Sequence, residues 1–344
     1  MRKAAINLVE RGMVPEPIVR VGVRRLLRER LAEETSGSPQ AQTARIQTLV
    51  DEMSSSPVAL VPEKPNEQHY EVPPAFFEYT LGPHLKYSCC YWPKGTGSLE
   101  SAEAAMLALT CQRAELRDGM EILELGCGWG SLTLWMARAY PDAKITAVSN
   151  SAPQKAFIDY RARVAGLENI EVITADMNDF AIERQFDRVV SVEMFEHMRN
   201  YRELMRRIAG WLKPQGKLFV HIFCHSRFAY PFVSDGPGDW MAEHFFTGGL
   251  MPSDNLLLHF QEDLRLQTRW RVNGEHYARS ARAWLDNMAR NRRKIIELFS
   301  DVYGPGEGKR WYVRWRLFFI ACEELWGYNE GEEWLVSHYL FKKR

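Results

Sequence analysis

The stretch that decides the fold is MEILELGCGWGSLTLWMARAY, residues 120–140. Its first part is an apolar run typical of a buried strand, and its last part has the spacing of a helix. Between the two parts stand Gly126, Gly128 and Gly130, alternating with Cys127 and Trp129. Glycines between a strand and a helix let a ligand approach the main chain closely. The stretch therefore predicts a ligand-binding turn in an α/β protein.

The alternation of strand and helix continues through the middle of the chain, over about residues 118–224. Short apolar runs predict strands at 120–126, 144–150, 170–176, 186–195 and 217–224. Helical spacing predicts helices at 131–140, 151–166 and 200–216, the last of them ended by Pro214 and Gly216. Because strands and helices alternate, we predict a parallel, doubly wound α/β sheet.

The flanking segments have a different character. Residues 1–60 are predicted as a helical extension, 61–117 as a segment covering the ligand site, and 225–344 as an aromatic substrate cap. In the cap, helices are expected at about 278–299 and 309–327, and a final strand at 332–343. Three roles stay open for the N-terminal helices: a lid, a dimer arm that would imply a homodimer, or simple packing.

Composition excludes several classes of protein. The 344 residues carry 44 basic and 44 acidic side chains, which argues against a nucleic-acid binder. No window approaches the ~20 apolar residues of a membrane span, and the N-terminus has no signal-peptide pattern. The six cysteines lack zinc-type spacing, so we predict reduced thiols, no metal site and a cytoplasmic location.

Two ligands compete for the glycine turn. A dinucleotide site requires G-x-G-x-x-G and a later acid, but Gly130 comes one residue early and the second predicted strand ends without an acid. For S-adenosylmethionine, Gly126 and Gly128 would admit the amino-acid end, with Glu124 just ahead. Asp176 follows the third predicted strand, where an adenine amino group needs an acceptor. A tight turn in an inert domain is the third interpretation.

Several motifs carry a family resemblance. With KYSCCYW (86–92), ELGCGWGSL (124–132) and EMFEHM (193–198), the chain resembles the cyclopropane-fatty-acid synthase superfamily, which has the Rossmann-like class I methyltransferase fold. With FVHIFCHS (219–226), FTGGLMPS (246–253) and the tail at 327–343, it resembles the plant benzylisoquinoline-alkaloid N-methyltransferases of coclaurine type. The resemblance spans about residue 70 to the C-terminus and implies S-adenosylmethionine as cofactor. The residues expected to bind it are Tyr87, Ser88, Glu124, Gly126, Gly128, Asn150, Gln154, Asp176 and Met177.

Methylation of an amine requires a group that removes a proton, because alkylamines are mostly protonated at neutral pH. Glu193, Glu196 and His197 follow the fourth predicted strand, beside the crevice where such sheets bind ligands. The resemblance gives Glu196 and His197 the role at the substrate amine, and it adds Tyr70 and Glu71 to the pocket. The alternatives are a helix-capping acid, a surface histidine and ordinary loop residues.

We therefore predict N-methylation of a small-molecule substrate, a hydrophobic secondary or tertiary amine like tetrahydroisoquinoline. Aromatic residues either wall its pocket or pack in the core: Trp240, Phe245, Phe246, Trp315 and Phe319.

Two other functions stay open. The resemblance also implies lipid cyclopropanation, in which a bound bicarbonate would be held by Cys89, Glu196, His221 and Tyr277. The arginine-rich first helix and the basic stretch 279–294 would then meet an anionic bilayer. A binding protein without chemistry is the other alternative, but the acids of the EMFEHM motif argue against it.

Overall fold

Seven strands form the central sheet of the computed structural model, which describes residues 2–60, 72–232, 240, 245 and 247–344. These strands are β1 (Glu121–Leu125), β2 (Lys144–Ser149), β3 (Ile170–Thr174), β4 (Phe186–Val192), β5 (Leu212–His225), β8 (Leu264–Val272) and β9 (Trp334–Lys343), while β6 (Tyr230–Pro231) and β7 (Leu250–Met251) pair separately. The order is β3-β2-β1-β4-β5-β9-β8. β1 to β5 are parallel, and β9 runs antiparallel to both of its neighbours. The predicted doubly wound fold is confirmed.

Helices cover both faces of the sheet, because successive strand residues point to opposite sides and both sets are apolar. Leu123 and Val189 belong to one buried cluster, and their neighbours Ile122 and Val190 belong to another. Helices α3 (Pro39–Ser55) and α8 (Tyr201–Trp211) cover the first cluster, and α5 (Leu99–Arg113) and α6 (Ser131–Ala139) cover the second. The remaining helices are α1 (Arg2–Glu10), α2 (Glu16–Glu34), α4 (Pro74–Thr80), α7 (Ala152–Val164), α9 (Glu275–Arg290), α10 (Arg292–Tyr303) and α11 (Gly308–Trp326).

The structure differs from the predicted elements at three main points. The helix after residue 200 ends at Trp211 instead of Pro214–Gly216, since Leu212 already pairs with Phe186 of β4. The helix expected at about 278–299 is two helices, broken at Asn291, whose side chain donates to the Tyr79 carbonyl at 2.9 Å. Strand β8 was not predicted. The proposed domain boundaries stay predictions, as does the homodimer.

Charged groups connect the N-terminal helices to α11, beside the apolar contacts of Val19, Leu27 and Leu31 with the core. Glu10, at the end of α1, accepts hydrogen bonds from Arg310 and Arg314, at 2.7 and 3.1 Å. Arg20 of α2 donates to Glu323 and Glu324 at 2.8 and 2.7 Å. No residue of α2 is fully buried. Within the described residues, no helix combines the length and apolar character that a bilayer span requires.

Glu10→Gln should loosen the N-terminal helices. Burial alone would raise the pKa of Glu10, but hydrogen bonds from Trp240, Arg314 and Arg310 outweigh it and lower the pKa to about 2. The carboxylate therefore stabilises the fold above the pKa of an unfolded glutamate, and this contribution is lost as the pH falls through about 2. Replacing it should cost about 2 kcal/mol, since charge-assisted hydrogen bonds are lost.

Hydrogen exchange of the α1 amides at neutral pH measures this cost directly. The matched control is Glu297→Gln, which breaks the exposed ion pair with Arg293 on α10 and should change stability by less than about 0.5 kcal/mol. Equal exchange rates for α1 in both variants would contradict the ionic attachment.

Candidate active site

A cavity lies at the carboxyl ends of β1, β2 and β3, the edge at which doubly wound sheets bind ligands. Six of the nine residues predicted to bind the cofactor line it, namely Gly126, Gly128, Asn150, Gln154, Asp176 and Met177. His197, predicted to act on the substrate, lines the same cavity. The sequence analysis did not assign its other lining residues, which are Ala59, Val148, Ser149, Ala175, Met194, Met198 and Thr247.

The two cavity glycines are required for different reasons. Both have positive φ, +80° at Gly126 and +51° at Gly128. A Cβ atom at Gly126 would come within 2.6 Å of the Met194 side chain, so this glycine is needed for packing. A Cβ atom at Gly128 would have no protein atom within 4 Å, although the residue lines the cavity. Gly128 therefore leaves room on the side where a cofactor would touch the main chain.

Gln154 offers a hydrogen bond that the protein does not use. Its Oε1 accepts from Ser149 Oγ at 2.6 Å, while its Nε2 is buried without a partner among the described residues. The residue is fixed at the start of α7, where Ser151 caps the helix by accepting from the Gln154 amide. An unpaired buried amide is costly unless a ligand satisfies it. A ribose hydroxyl would do so, and the residues present therefore fit S-adenosylmethionine.

Asp176 lies at the mouth of the same cavity, directly after β3. Its Oδ1 accepts from the Asn178 amide at 2.7 Å, which fixes the carboxylate at the cavity wall. Met177 beside it is 8% exposed and belongs to the buried cluster on that face. A polar acceptor and an apolar side chain together suit an adenine ring, as the sequence analysis expects.

Three other residues predicted to bind the cofactor do not line this cavity. Glu124 is buried and accepts from Thr133 Oγ1 at 2.5 Å, and burial raises its pKa to about 8. Ser88 is buried and accepts from the Lys86 ammonium group. Tyr87 is half-buried in an aromatic cluster, with its ring 5.1 Å from that of Phe77. Their predicted contacts with the cofactor stay predictions.

Glu193 is the centre of a hydrogen-bond network just past β4. Its Oε1 accepts from the Cys89 amide at 3.0 Å and lies 3.1 Å from His221 Nε2. Its Oε2 accepts from the Tyr277 hydroxyl at 2.6 Å. The backbone of Glu193 has a φ of +48°, a strained value that typically persists where the surroundings fix it. Three of the four residues that the resemblance assigned to an anion therefore surround this carboxylate.

Glu196 has a different environment three residues later. Its side chain is fully buried, Oε1 accepts from the Phe223 amide at 2.8 Å, and Oε2 has no partner among the described residues. Burial, followed by the charge of Glu193, raises the pKa of Glu196 well above its ordinary value. Burial also raises the pKa of Glu193, but Lys86 and the donors around it oppose this. Of the two acids, Glu193 therefore has the surroundings that favour a carboxylate, whereas Glu196 has a single donor and an unpaired buried oxygen.

His197 closes the short 3-10 turn Phe195–His197 and faces the cavity. Burial lowers its pKa to about 4, although the charge of Glu193 acts in the opposite direction. The imidazole is therefore neutral at pH 7 and able to accept a proton. A neutral histidine near a carboxylate suits the removal of a proton from a cation.

None of the described aromatic residues that were predicted for the pocket lines the cavity. Trp315 and Phe319 of α11 are fully buried and pack with Trp284 and Phe76, which is the core alternative for these two. Trp240 is half-buried, and its Nε1 donates to Glu10 at 2.9 Å. Phe245 is buried and stacks on Phe318 of the same cluster, with ring centroids 4.2 Å apart. The predicted pocket residues Tyr70, Glu71 and Phe246 lie outside the described residues.

Lys86 is a functional candidate that the sequence analysis left without a role. It is 2% exposed, and its charge acts on both Glu193 and Glu124. The KYSCCYW motif contained a signal for this role. The motif was predicted to cover the cofactor, and a lysine that is buried in such a segment usually has a charged partner.

Comparisons with known proteins agree with this geometry. Residues 62–331 match the family model described as mycolic acid cyclopropane synthetase. The chain is 38% identical to (S)-coclaurine N-methyltransferase of Thalictrum flavum subsp. glaucum, over 98% of this chain and 95% of that protein. Pavine N-methyltransferase of the same plant is 33% identical, over 100% and 98%. A crystal structure of coclaurine N-methyltransferase bound to N-methylheliamine and SAH superposes with a TM-score of 0.95 at 36% identity, covering 99% of each chain.

Proposed function

This chain belongs to the mycolic acid cyclopropane synthetase family and is an S-adenosylmethionine-dependent methyltransferase, and from that premise we propose that it methylates the nitrogen of a hydrophobic amine. The substrate class is a secondary or tertiary cyclic amine like tetrahydroisoquinoline. Both plant relatives are named N-methyltransferases, and the similar solved structure holds N-methylheliamine. These names describe the relatives. For this chain they support the proposal of methyl transfer to an amine nitrogen.

The observation that carries the proposal is the difference between the hydrogen-bond environments of Glu193 and Glu196. In this proposal Glu193 carries the negative charge, because the Cys89 amide, His221 and the Tyr277 hydroxyl contact it, and it directly precedes Met194, which lines the cavity. A carboxylate in a largely buried site attracts an ammonium group more strongly than it would in water. Glu193 therefore binds and orients the protonated amine, while Glu196 stays neutral beneath it.

His197 removes the proton. When bound, S-adenosylmethionine supplies a methyl group already activated on a sulfonium sulfur. His197 is neutral at pH 7 and accepts the ammonium proton on a ring nitrogen, which leaves a lone pair on the amine. Gly128, Gln154 and Asp176 would hold the cofactor, so that orientation supplies about 7–11 kcal/mol of the rate enhancement. His197 thus keeps the role at the substrate amine that the resemblance implies, and Glu193 takes the place there that the resemblance gives to Glu196.

The lipid alternative is less compatible with these contacts. It requires a bicarbonate among Cys89, Glu196, His221 and Tyr277. Three of those residues contact the Glu193 carboxylate, which already occupies their hydrogen-bonding groups. A second anion beside a buried carboxylate would be repelled. The network therefore favours a cationic substrate over a bound anion.

Methyl transfer from labelled S-adenosylmethionine tests the proposal. A panel of cyclic secondary and tertiary amines is assayed beside vesicles of unsaturated phospholipid, each with and without bicarbonate. We expect label in the amine products, at rates that do not depend on bicarbonate. Label in the lipid alone would overturn the proposal and move the chemistry to the alkene.

A further inference from the structure

A row of aromatic and imidazole side chains crosses three strands of the sheet behind the active site. In the register of β5 and β9, His221 lies opposite His338. In the register of β8 and β9, His338 lies opposite Trp270. Both histidines are buried, at 1% and 0% exposed. Because neighbouring strands place opposite residues in contact, the row runs from the outermost strand β8 toward the end of β4.

Hydrogen bonds connect this row from Arg113 to Glu193 without a gap. Arg113 Nη1 lies 2.8 Å from His338 Nδ1. His338 Nε2 lies 2.9 Å from His221 Nδ1, and His221 Nε2 lies 3.1 Å from Glu193 Oε1. Each imidazole therefore uses both of its nitrogens in the chain. A residue at the end of helix α5 is three hydrogen bonds away from the Glu193 carboxylate, to which the proposed function assigns the substrate amine.

The direction of each hydrogen bond in this series follows from Arg113, at which the series begins. A guanidinium has donors only and keeps its proton in proteins. His338 Nδ1 must therefore accept, so the proton of a neutral His338 is on Nε2 and is donated to His221 Nδ1. By the same step, the proton of His221 is on Nε2 and is donated to Glu193 Oε1. One cation thus fixes both tautomers, and the last donor points at Glu193.

Among the described residues, no ion pair accounts for the position of Arg113. Its guanidinium stacks over the Trp270 ring, 5.1 Å from the centroid, and is half-buried. Among the residues that the structure describes, no carboxylate forms an ion pair with it. Burying part of a cation without a counter-ion costs free energy. Arg113 is therefore not placed there to form a stabilising salt bridge.

We propose that Arg113 is a positioning residue for methyl transfer, which fixes the Nε2–H tautomers of His338 and His221 so that Glu193 remains a hydrogen-bonded carboxylate. The proposal rests on the proposed function for the role of Glu193. The charged and titratable groups that face this network are Arg113, Lys86, Glu196 and His197. Of these, Arg113 is the one that contacts the far imidazole.

Two readouts on the full-length protein test it. Long-range proton–nitrogen NMR spectra of histidine-labelled protein, free of cofactor and substrate, report the tautomers, with signals assigned by single His→Gln variants. We expect Nε2–H for both histidines in the wild type and in Arg113→Lys, and loss of the single tautomer of His338 in Arg113→Met. We also expect kcat/KM for the amine to fall about 10-fold in Arg113→Met, as for one lost charge-assisted hydrogen bond, and to recover in Arg113→Lys.

The matched control is Arg117→Met, which removes an exposed arginine just beyond α5 and should change neither readout. A wild-type spectrum with Nδ1–H on His338 would overturn the proposal even if no variant folds. Retention of either the tautomers or the rate in Arg113→Met would also overturn it. The tautomers are measured without substrate. If the amine assay failed, the NMR result on His338 and His221 would therefore still test the proposal.

Discussion

Gly128→Val abolishes binding of S-adenosylmethionine in a protein that still folds; this is the largest effect we expect from a single substitution. A Cβ atom at this position meets no protein atom within 4 Å and points into space on the cavity side. The two methyl groups of valine would occupy the volume that the cofactor needs beside the main chain. We expect the dissociation constant, measured by calorimetry, to rise at least about 100-fold, or about 2.7 kcal/mol.

The control for this substitution is Gly119→Val. Gly119 has a φ of +75°, close to the +51° of Gly128, and its Cβ position is also open. Both variants therefore place a β-branched residue at positive φ, which should lower the free energy of unfolding by about 1–2 kcal/mol or more. Only Gly128→Val should lose the cofactor. Equal affinities in the two variants would show that the cofactor does not approach Gly128.

His197→Ala should lower turnover by about 100- to 10,000-fold while the variant still binds S-adenosylmethionine, because a general base is removed. The pH dependence gives a sharper test than the rate. In the wild type, His197 has a pKa of about 4 and is neutral from about pH 5 upward, so it can deprotonate the bound ammonium over that range. In the variant only the free amine reacts. The kcat/KM of the variant should therefore rise tenfold per pH unit up to the pKa of the substrate.

The control is His259→Ala, which removes an exposed histidine far along the chain and should keep the wild-type profile. A variant at position 197 with the wild-type rate, or with a flat pH profile, would remove His197 from the proposed proton transfer.

The parts of the fold that the sequence predicted are those with strong local patterns. Strands β1 to β5 each contain a mostly apolar run, and helices separate most of these runs in the sequence, so their parallel arrangement follows from the pattern. Strand β8 was missed because LRLQTRWRV alternates with arginines and a glutamine, as befits the outermost strand of a sheet. The break at Asn291 was missed because it depends on a hydrogen bond to Tyr79, which is remote in sequence.

The same division holds for the site. Gly128, Asn150 and Asp176 follow three parallel strands, and carboxyl ends of parallel strands meet at one edge, so their convergence was predictable. The different states of Glu193 and Glu196 were not, because the amide of Cys89, His221 and Tyr277 reach Glu193 from distant segments. The sequence alone also does not reveal that His221 contacts His338, since β5 and β9 are far apart in the chain and pair only in the folded protein.

The ionic attachment of the N-terminal helices makes them sensitive to salt. Arg20 and its partner Glu323 on α11 are partly exposed to solvent, whereas Glu10 is buried, and no residue of α2 is fully buried, although Val19, Leu27 and Leu31 pack against the core. The Debye length shrinks from about 10 Å at 0.1 M salt to about 3 Å at 1 M. The sheet and its cavity, held by apolar packing, would persist at ionic strengths that release these helices. Ionic strength therefore acts selectively on residues 2–34 of this enzyme.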